Sequence, residues 1–259
     1  MRSIPRRSAF ALPLLAALLA ALPARAETPM AAKPLSRDIP WWQKRHKEKL
    51  EELKEKKPAL IFLGDSITQQ WEYEFEPEWR KFAPGWRRFY GDRNAVNLGY
   101  SGDATSHLLW RIENGEVAGI SPKVAVVLIG ANNLGRLHWT AADTITGINV
   151  IISELRRRLP STKILLIGVL PSDRSDWATA TTVAIDKGLA ARYINNEMVT
   201  YLDVGPVFMK NGQTNHALYL DPLLTPPAAP LHPSAEGQNL LSEAIEPTLA
   251  RLLGDRVHK

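Results

Sequence analysis

The stretch Ala59-Leu-Ile-Phe-Leu-Gly-Asp-Ser-Ile-Thr68 decides how the chain is organised. Its apolar run, bounded by a lysine-rich segment and a glycine, is typical of a buried central strand in a parallel sheet. We predict a strand over 59–63, which puts Ser66 just past its carboxyl end, where open α/β sheets bind ligands. Taken alone, Gly64-Asp65-Ser66 also fits a strand-ending turn that caps the next helix. The choice between the two depends on the rest of the chain.

The first 26 residues have the pattern of a cleavable export signal. Three arginines lie among the first seven residues, an apolar run covers 9–22, and Ala24-Arg-Ala26 supplies a cleavage site after Ala26. This run is too short for a comfortable membrane span, so we expect a periplasmic or secreted protein without a stable membrane anchor. An uncleaved anchor is the alternative.

The composition excludes several classes of function. The formal charge is +5, but residues 1–26 hold four arginines and no acid, so the rest of the chain is almost neutral and no nucleic-acid partner is implied. The chain has no cysteine, which excludes disulfides, thiol catalysis and thiolate metal sites. No histidine pair or histidine–carboxylate group has metal spacing, so we predict no metal and no cofactor.

The remaining chain is predicted to hold a flexible lead-in over 27–35 and one domain over 36–259, a length that allows a sizeable core. Apolar runs that predict strands alternate with segments that predict helices. The strands are expected at 59–63, 94–98, 124–129, 163–170 and 199–204, and the main helices at 39–57, 108–116, 141–159, 178–197 and 234–253. Trp41 and Trp42 are expected to pack the first helix onto the domain. The strict alternation indicates an α/β fold with a five-stranded parallel sheet and helices on both faces.

Three of the predicted strands end in small polar turns, which contain Ser66, Gly102 and Asn132. In a parallel sheet these turns lie on one edge, and each supplies a group that acyl transfer requires. Ser66 is a nucleophile, the Gly102 N–H is open to close approach, and the Asn132 amide is a second donor for an oxyanion. His232 lies just before the last helix, from which it can return to the same edge as a general base.

Other polar and aromatic side chains near these turns have weaker signals. Trp71, five residues past Ser66, is a candidate for the substrate cleft because aromatic faces suit sugar rings and acyl chains, although tryptophans more often fill the core. We expect His107 to pack or cap a helix, Asp65 to make a local hydrogen bond, and Asn133 and Arg111 to support the turns.

Four sequence blocks occur in order at the predicted strand ends and before the last helix: Gly64-Asp65-Ser66, Asn97-Leu-Gly99-Tyr-Ser-Gly102, Gly130-Ala-Asn132-Asn133 and His232-Pro-Ser234. With these blocks the chain resembles the SGNH (GDSL-type) hydrolases over nearly all of its length beyond residue 26. Gly102-Asp-Ala-Thr-Ser-His-Leu-Leu-Trp110-Arg111 and Glu113-Asn114-Gly115-Glu116 carry a closer likeness to the platelet-activating-factor acetylhydrolase catalytic subunits, a branch shared by bacterial carbohydrate acetylesterases.

The resemblance implies a flavodoxin-like three-layer α/β/α sandwich and metal-independent ester hydrolysis. Ser66 would attack the acyl carbon and His232 would take its proton. The Ser66 N–H, the Gly102 N–H and the Asn132 side chain would form the oxyanion hole. The expected substrate is a small-molecule or polysaccharide ester of a short acyl group, acetyl first. The alternatives are a lysophospholipase- or thioesterase-type lipid acyl hydrolase and a catalytically impaired glycan-binding protein.

The chain departs from the family at one position. The family usually has an aspartate three residues before the histidine, where it orients the imidazole, and here that position is Ala229. In the first alternative, the proline-rich loop is an insertion and Asp221 folds back onto His232. In the second, a backbone carbonyl orients His232 and leaves a Ser–His dyad, and in the third the site is impaired. Asp221 before proline is also a common turn residue.

Overall fold

The computed structural model describes residues 27–258, so the predicted export signal lies outside the described residues. Five parallel strands form one sheet in the order β2-β1-β3-β4-β5. The strands are β1 (Leu60–Gly64), β2 (Ala95–Gly99), β3 (Val124–Leu128), β4 (Lys163–Ile167) and β5 (Val199–Leu202). Every residue of β1 and β3 is buried, as expected of central strands covered on both faces. The predicted α/β class and the five-stranded parallel sheet are confirmed.

Within residues 27–258, eight α-helices follow or cover the strands. They are α1 (Pro40–Lys56), α2 (Ser66–Gln69), α3 (Ala83–Tyr90), α4 (Thr105–Arg111), α5 (Ala131–Gly135), α6 (Ala141–Arg158), α7 (Asp176–Tyr193) and α8 (Ala235–Leu253). Helices α3 and α8 contact each other, and α6 contacts both α4 and α7, so that helices flank the sheet in a three-layer arrangement. Within residues 27–258, no helix combines the length and the apolar composition needed to cross a membrane.

The segment before α1 differs from the prediction of a flexible lead-in. Met30–Ala32 form one 3-10 turn in which Ala31 and Ala32 are buried, and the Thr105 hydroxyl donates a hydrogen bond to the Ala31 carbonyl oxygen at 2.7 Å. A Cβ built on Gly147 of α6 would lie 2.4 Å from that same carbonyl oxygen. The bare backbone of Gly147 therefore lets the segment pack directly onto α6.

Two further details of the structure differ from the prediction. The fourth strand ends at Ile167, three residues earlier than predicted. Trp42 is fully buried and donates its indole N–H to Asp103 at 2.8 Å, whereas Trp41 is 43% exposed. One tryptophan, rather than two, holds α1 down, because the two neighbours point to different faces of the helix.

The ends of β1 and β2 hold the short helix α2 in close contact. The Asn97 side chain donates to the Thr68 carbonyl oxygen at 2.7 Å and accepts from the Gly99 N–H at 2.8 Å. A Cβ built on Gly99 would lie 2.2 Å from the backbone nitrogen of Gln69. Only glycine allows this backbone contact, which fixes the helix that begins at Ser66.

We therefore expect Gly99→Ala to lower the free energy of unfolding by about 1–3 kcal/mol, the cost typical of inserting a methyl group into a packed site. Urea denaturation followed by circular dichroism measures this change. Gly119→Ala is the comparison variant, since its φ of +72° is unfavourable for alanine but no atom lies within 4 Å of the added Cβ. A Gly99→Ala protein as stable as wild type would contradict the close packing.

Candidate active site

Three strand ends meet at one edge of the sheet. Gly64, at the end of β1, lies opposite Gly99 of β2 and Leu128 of β3 in the strand register. A polar turn follows each of these strands, and two of the turns lead directly into α2 and α5. The sheet therefore brings Ser66, Gly102 and Asn132 to the same edge, as the strand order requires.

A chain of hydrogen bonds joins three side chains at this edge. The Ser66 Oγ lies 3.0 Å from His232 Nε2, and His232 Nδ1 lies 2.8 Å from Asp221 Oδ1. The other carboxylate oxygen of Asp221 accepts the backbone N–H groups of Leu231 at 2.8 Å and His232 at 2.6 Å. With the Nδ1 proton directed at the carboxylate, Nε2 is free to accept the serine proton.

The backbone on either side of a surface loop explains how Asp221 reaches His232. The Leu220 N–H donates to the His232 carbonyl oxygen at 2.7 Å, and the Ser234 N–H donates to the Leu218 carbonyl oxygen at 2.8 Å. These bonds pair the two ends of the proline-rich loop and leave Ala229 exposed on it. The contact between the Asp221 carboxylate and the His232 ring is the one that the first alternative describes.

Burial and hydrogen bonding set the charges of two aspartates near Ser66. Burial would raise the pKa of Asp221, but the His232 ring and the N–H groups of His232 and Leu231 lower it below its ordinary value. Asp221 is therefore a carboxylate at neutral pH. Burial raises the pKa of Asp65 to about 6. Its Oδ1 accepts the Ile67 N–H at 3.0 Å, which is the local hydrogen bond predicted for Asp65.

The predicted oxyanion donors surround the nucleophile turn. Among residues 27–258, the N–H groups of Ser66 and Gly102 have no intramolecular acceptor. Gly102 has a φ of +79°, a conformation that favours glycine. The Asn132 side chain donates one N–H to the Asp103 carbonyl oxygen at 3.0 Å. Because a primary amide has two N–H donors, the second remains available to a ligand.

A fully buried arginine supports these turns from below. Arg111 donates to the carbonyl oxygens of Gly64 at 3.1 Å and Leu98 at 3.2 Å, which are the ends of β1 and β2. It also pairs with Asp103 at 2.9 Å and with Glu116, and all three side chains are completely buried. The predicted supporting role of Arg111 is confirmed.

Two further predictions are confirmed at this edge. The Asn133 side chain accepts the Thr105 N–H at 3.0 Å and donates to the Thr105 hydroxyl at 2.8 Å, which ties α5 to α4. His107 Nδ1 accepts the Ala104 N–H at 2.9 Å and so caps the first turn of α4.

The prediction that Trp71 lines a substrate cleft is wrong. Its side chain is 2% exposed and packs edge-on against Phe62 and Tyr90, with Trp86 close by. The 3-10 turn after α2 directs Trp71 under the sheet edge instead of toward solvent. It fills the core, which is the commoner use of a tryptophan.

Sequence reasoning missed three arginines near the site. Arg37 and Arg136 lie beside Gly102, and Arg174 lies against α5, where its Nη2 donates to the Ala131 carbonyl oxygen at 3.0 Å. They come from three separate segments and belong to none of the motif blocks, so no local pattern marks them.

We expect Arg111→Leu to lower the free energy of unfolding by about 3–5 kcal/mol, because removing one partner of a buried ion pair leaves uncompensated charges on Asp103 and Glu116. Urea denaturation measures the change. Arg157→Leu is the matched control, since Arg157 pairs with Glu154 on an exposed helix face and such pairs contribute at most about 1 kcal/mol. Equal effects of the two substitutions would contradict the role given to Arg111.

Known proteins resemble this chain in sequence and in fold. Bovine platelet-activating factor acetylhydrolase IB subunit alpha1 is 29% identical over 215 residues, which cover 82% of this chain and 84% of the relative. A GDSL-like lipase from Bacteroides thetaiotaomicron has the same fold with a TM-score of 0.59 at 20% identity, over 80% of this chain and 97% of the other.

A carbohydrate acetylesterase family member from Sinorhizobium meliloti also shares the fold, with a TM-score of 0.57 at 16% identity, over 75% of this chain and 98% of that protein. The model of the GDSL-like lipase/acylhydrolase family matches residues 62–240, which include the turns at Ser66, Gly102 and Asn132 and the segment with His232. The chain therefore belongs to the GDSL-like lipase/acylhydrolase family.

Proposed function

We propose that this acylhydrolase is an exported serine esterase that removes short acyl groups, acetyl first, from a carbohydrate or a similarly polar alcohol. The observation that carries the proposal is the hydrogen-bonded chain from Ser66 through His232 to Asp221, beside unpaired N–H groups at a sheet edge. Export rests on the basic, apolar and small-residue pattern of residues 1–26.

In the acylation half of the proposed reaction, the Ser66 Oγ attacks the ester carbonyl carbon while its proton passes to His232 Nε2. Asp221 holds the ring and stabilises the imidazolium that forms. The tetrahedral oxyanion is bound by the Ser66 and Gly102 N–H groups and the free Asn132 N–H. Collapse expels the alcohol, which takes the proton from Nε2, and leaves an acyl ester on Ser66.

In the deacylation half, His232 removes a proton from a water molecule as that water attacks the acyl ester. The same oxyanion donors stabilise the second tetrahedral intermediate. The carboxylic acid leaves as the Ser66 Oγ recovers its proton from Nε2. Every step uses groups of the chain itself together with the ester and water.

The size of the cleft supports a short acyl group, and three of its charged side chains support a polar alcohol. The cleft, of about 300 Å³, is lined by Gly102 and Asn132, by the charged side chains of Arg37, Asp38 and Arg136, and by the apolar side chains of Ile39 and Leu137. A long lipid chain would need a long apolar groove. Two larger clefts, of about 770 and 590 Å³, lie beside the hairpin of residues 209–214, and neither is lined by Gly102 or Asn132. The bovine relative is an acetylhydrolase by name, which favours acetyl.

Ser66→Ala is expected to lower kcat for p-nitrophenyl acetate by roughly 10³-fold or more, because the nucleophile is lost. Ser153→Ala on the exposed face of α6 is the matched control and should keep full activity. Butyrate and palmitate esters extend the series, and we expect kcat/KM to fall with chain length. Faster cleavage of the palmitate ester would favour a lipid substrate. No hydrolysis above the Ser66→Ala background would contradict the esterase and favour a glycan-binding protein.

Asp221→Asn is expected to lower kcat by about 10³- to 10⁴-fold, because an amide favours the wrong imidazole tautomer and cannot stabilise the imidazolium. Asp173→Asn is a matched control, since Asp173 lies 2.7 Å from the His216 ring on the surface, in a pair of the same type that lacks a serine. Circular dichroism confirms folding of both variants. Near-normal activity of Asp221→Asn would favour the Ser–His dyad.

A further inference from the structure

Two guanidinium groups converge on the oxyanion side of the site. A Cβ built on Gly102 would lie 2.6 Å from Arg136 Nη1 and 3.1 Å from Arg37 Nη2. The two arginines therefore flank the α-carbon of the same glycine. Both line the cleft of about 300 Å³ that also contains Gly102 and Asn132.

Arg37 is held in place before any ligand arrives. Its Nη1 donates to the Ser101 carbonyl oxygen at 2.7 Å and to Asp103 Oδ1 at 3.0 Å, and its side chain is only 11% exposed. Among residues 27–258, its Nη2 has no intramolecular acceptor. Nη1 is thus fixed to the protein, and both Nη atoms lie beside Gly102.

Arg136 is unpaired in the part of the chain that the structure describes. Within residues 27–258, the exposed Arg136 side chain forms no ion pair or hydrogen bond. Asp38 lines the same cleft but forms no ion pair with either arginine. Asp103 and Glu116 are already paired with Arg37 and Arg111, so neither carboxylate serves Arg136.

His107 adds no compensating charge to this cleft. Burial, with Arg37, Arg111 and Arg136 nearby, lowers the pKa of His107 to about 4, so the ring is neutral at neutral pH. Two cations held side by side repel each other, and a bound anion relieves this repulsion. Planar guanidinium groups also match the paired oxygens of carboxylate, phosphate and sulfate.

We propose that Arg37 and Arg136 bind an anionic group of the ester substrate, a carboxylate, phosphate or sulfate, next to the reacting carbonyl. This inference rests on the esterase function proposed above and narrows its substrate class. The anion has two possible sources. It belongs either to the acyl part, as in the half-ester of a dicarboxylic acid, or to the alcohol part, as in an acetylated uronic acid or sugar phosphate.

Paired substrates distinguish the two sources. The ratio of kcat/KM for p-nitrophenyl hemisuccinate to that for p-nitrophenyl acetate tests an anionic acyl group. The ratio for para-acetoxybenzoate to that for phenyl acetate tests an anionic alcohol. We expect one of the two ratios to exceed one in the wild type. That ratio should fall about tenfold in Arg136→Gln, because the variant loses a charge-assisted hydrogen bond. It should also fall in high salt, which screens the attraction between the charges.

Arg251→Gln is the control for a general loss of surface charge, since Arg251 is exposed in the last turn of α8, at the end of the helix away from His232. Arg136→Lys should keep part of the preference, because it keeps the charge but loses the planar fork. The proposal is overturned if neither ratio exceeds one in the wild type, or if Arg136→Gln and Arg251→Gln change the ratios equally.

Failure of the esterase function would show separately, as no hydrolysis of any ester above the Ser66→Ala background. In that event, calorimetric titration of p-nitrophenyl hemisuccinate and para-acetoxybenzoate into Ser66→Ala protein tests the anion site directly. Binding that weakens about tenfold in Ser66→Ala/Arg136→Gln supports the site. No binding, or binding that Arg136→Gln does not weaken, overturns it.

Discussion

The rest of the site depends on the buried guanidinium of Arg111. It binds the carbonyl oxygens at the ends of β1 and β2 and the carboxylates of Asp103 and Glu116, and it lies 3.8 Å from the centre of the Tyr100 ring. A charge this deep is tolerated only when its donors are satisfied, so the loop after β2 must fold beneath the strand ends. The Asp103 carbonyl oxygen then receives the Asn132 amide, which joins the turn after β3 to the same network.

The carboxylate of Asp103 also binds side chains near the start of the described chain. Besides Arg111, it accepts the Trp42 indole N–H at 2.8 Å and Arg37 Nη1 at 3.0 Å. Trp42 thus anchors the mostly polar helix α1 to Asp103, and Arg37 anchors the segment just before the helix. Asp103 therefore holds Arg37 at the cleft that Arg136 also lines, while Glu116 supplies a second counter-charge for Arg111. The packing that builds the sheet edge thus also positions one of the two arginines proposed above to bind an anion.

The parts of the structure that could be predicted are those with local signals. Apolar runs marked all five strands, and parallel strand order then placed Ser66, Gly102 and Asn132 on one edge. The partner of His232 could not be chosen, because it depends on backbone pairing across a loop. The burial of Ala31 depends on Gly147 in α6, which lies far away in the sequence. Trp71 points inward because a 3-10 turn follows α2. The residues next to Ala31 and Trp71 in the sequence do not indicate either contact.

Two kinds of backbone structure hold the site residues, and they differ in how well they tolerate a change in chain length. Ser66, Gly102 and Asn132 follow closely on the ends of β1, β2 and β3, so the sheet register fixes their relative positions. His232 and Asp221 lie where two short segments pair, and the loop between them can lengthen at little cost, since closure entropy grows slowly with length. Asp221 can therefore stand eleven residues before His232 and still hold its ring at 2.8 Å. Ala229 breaks the family spacing, but the geometry of the carboxylate and the imidazole does not depend on that spacing.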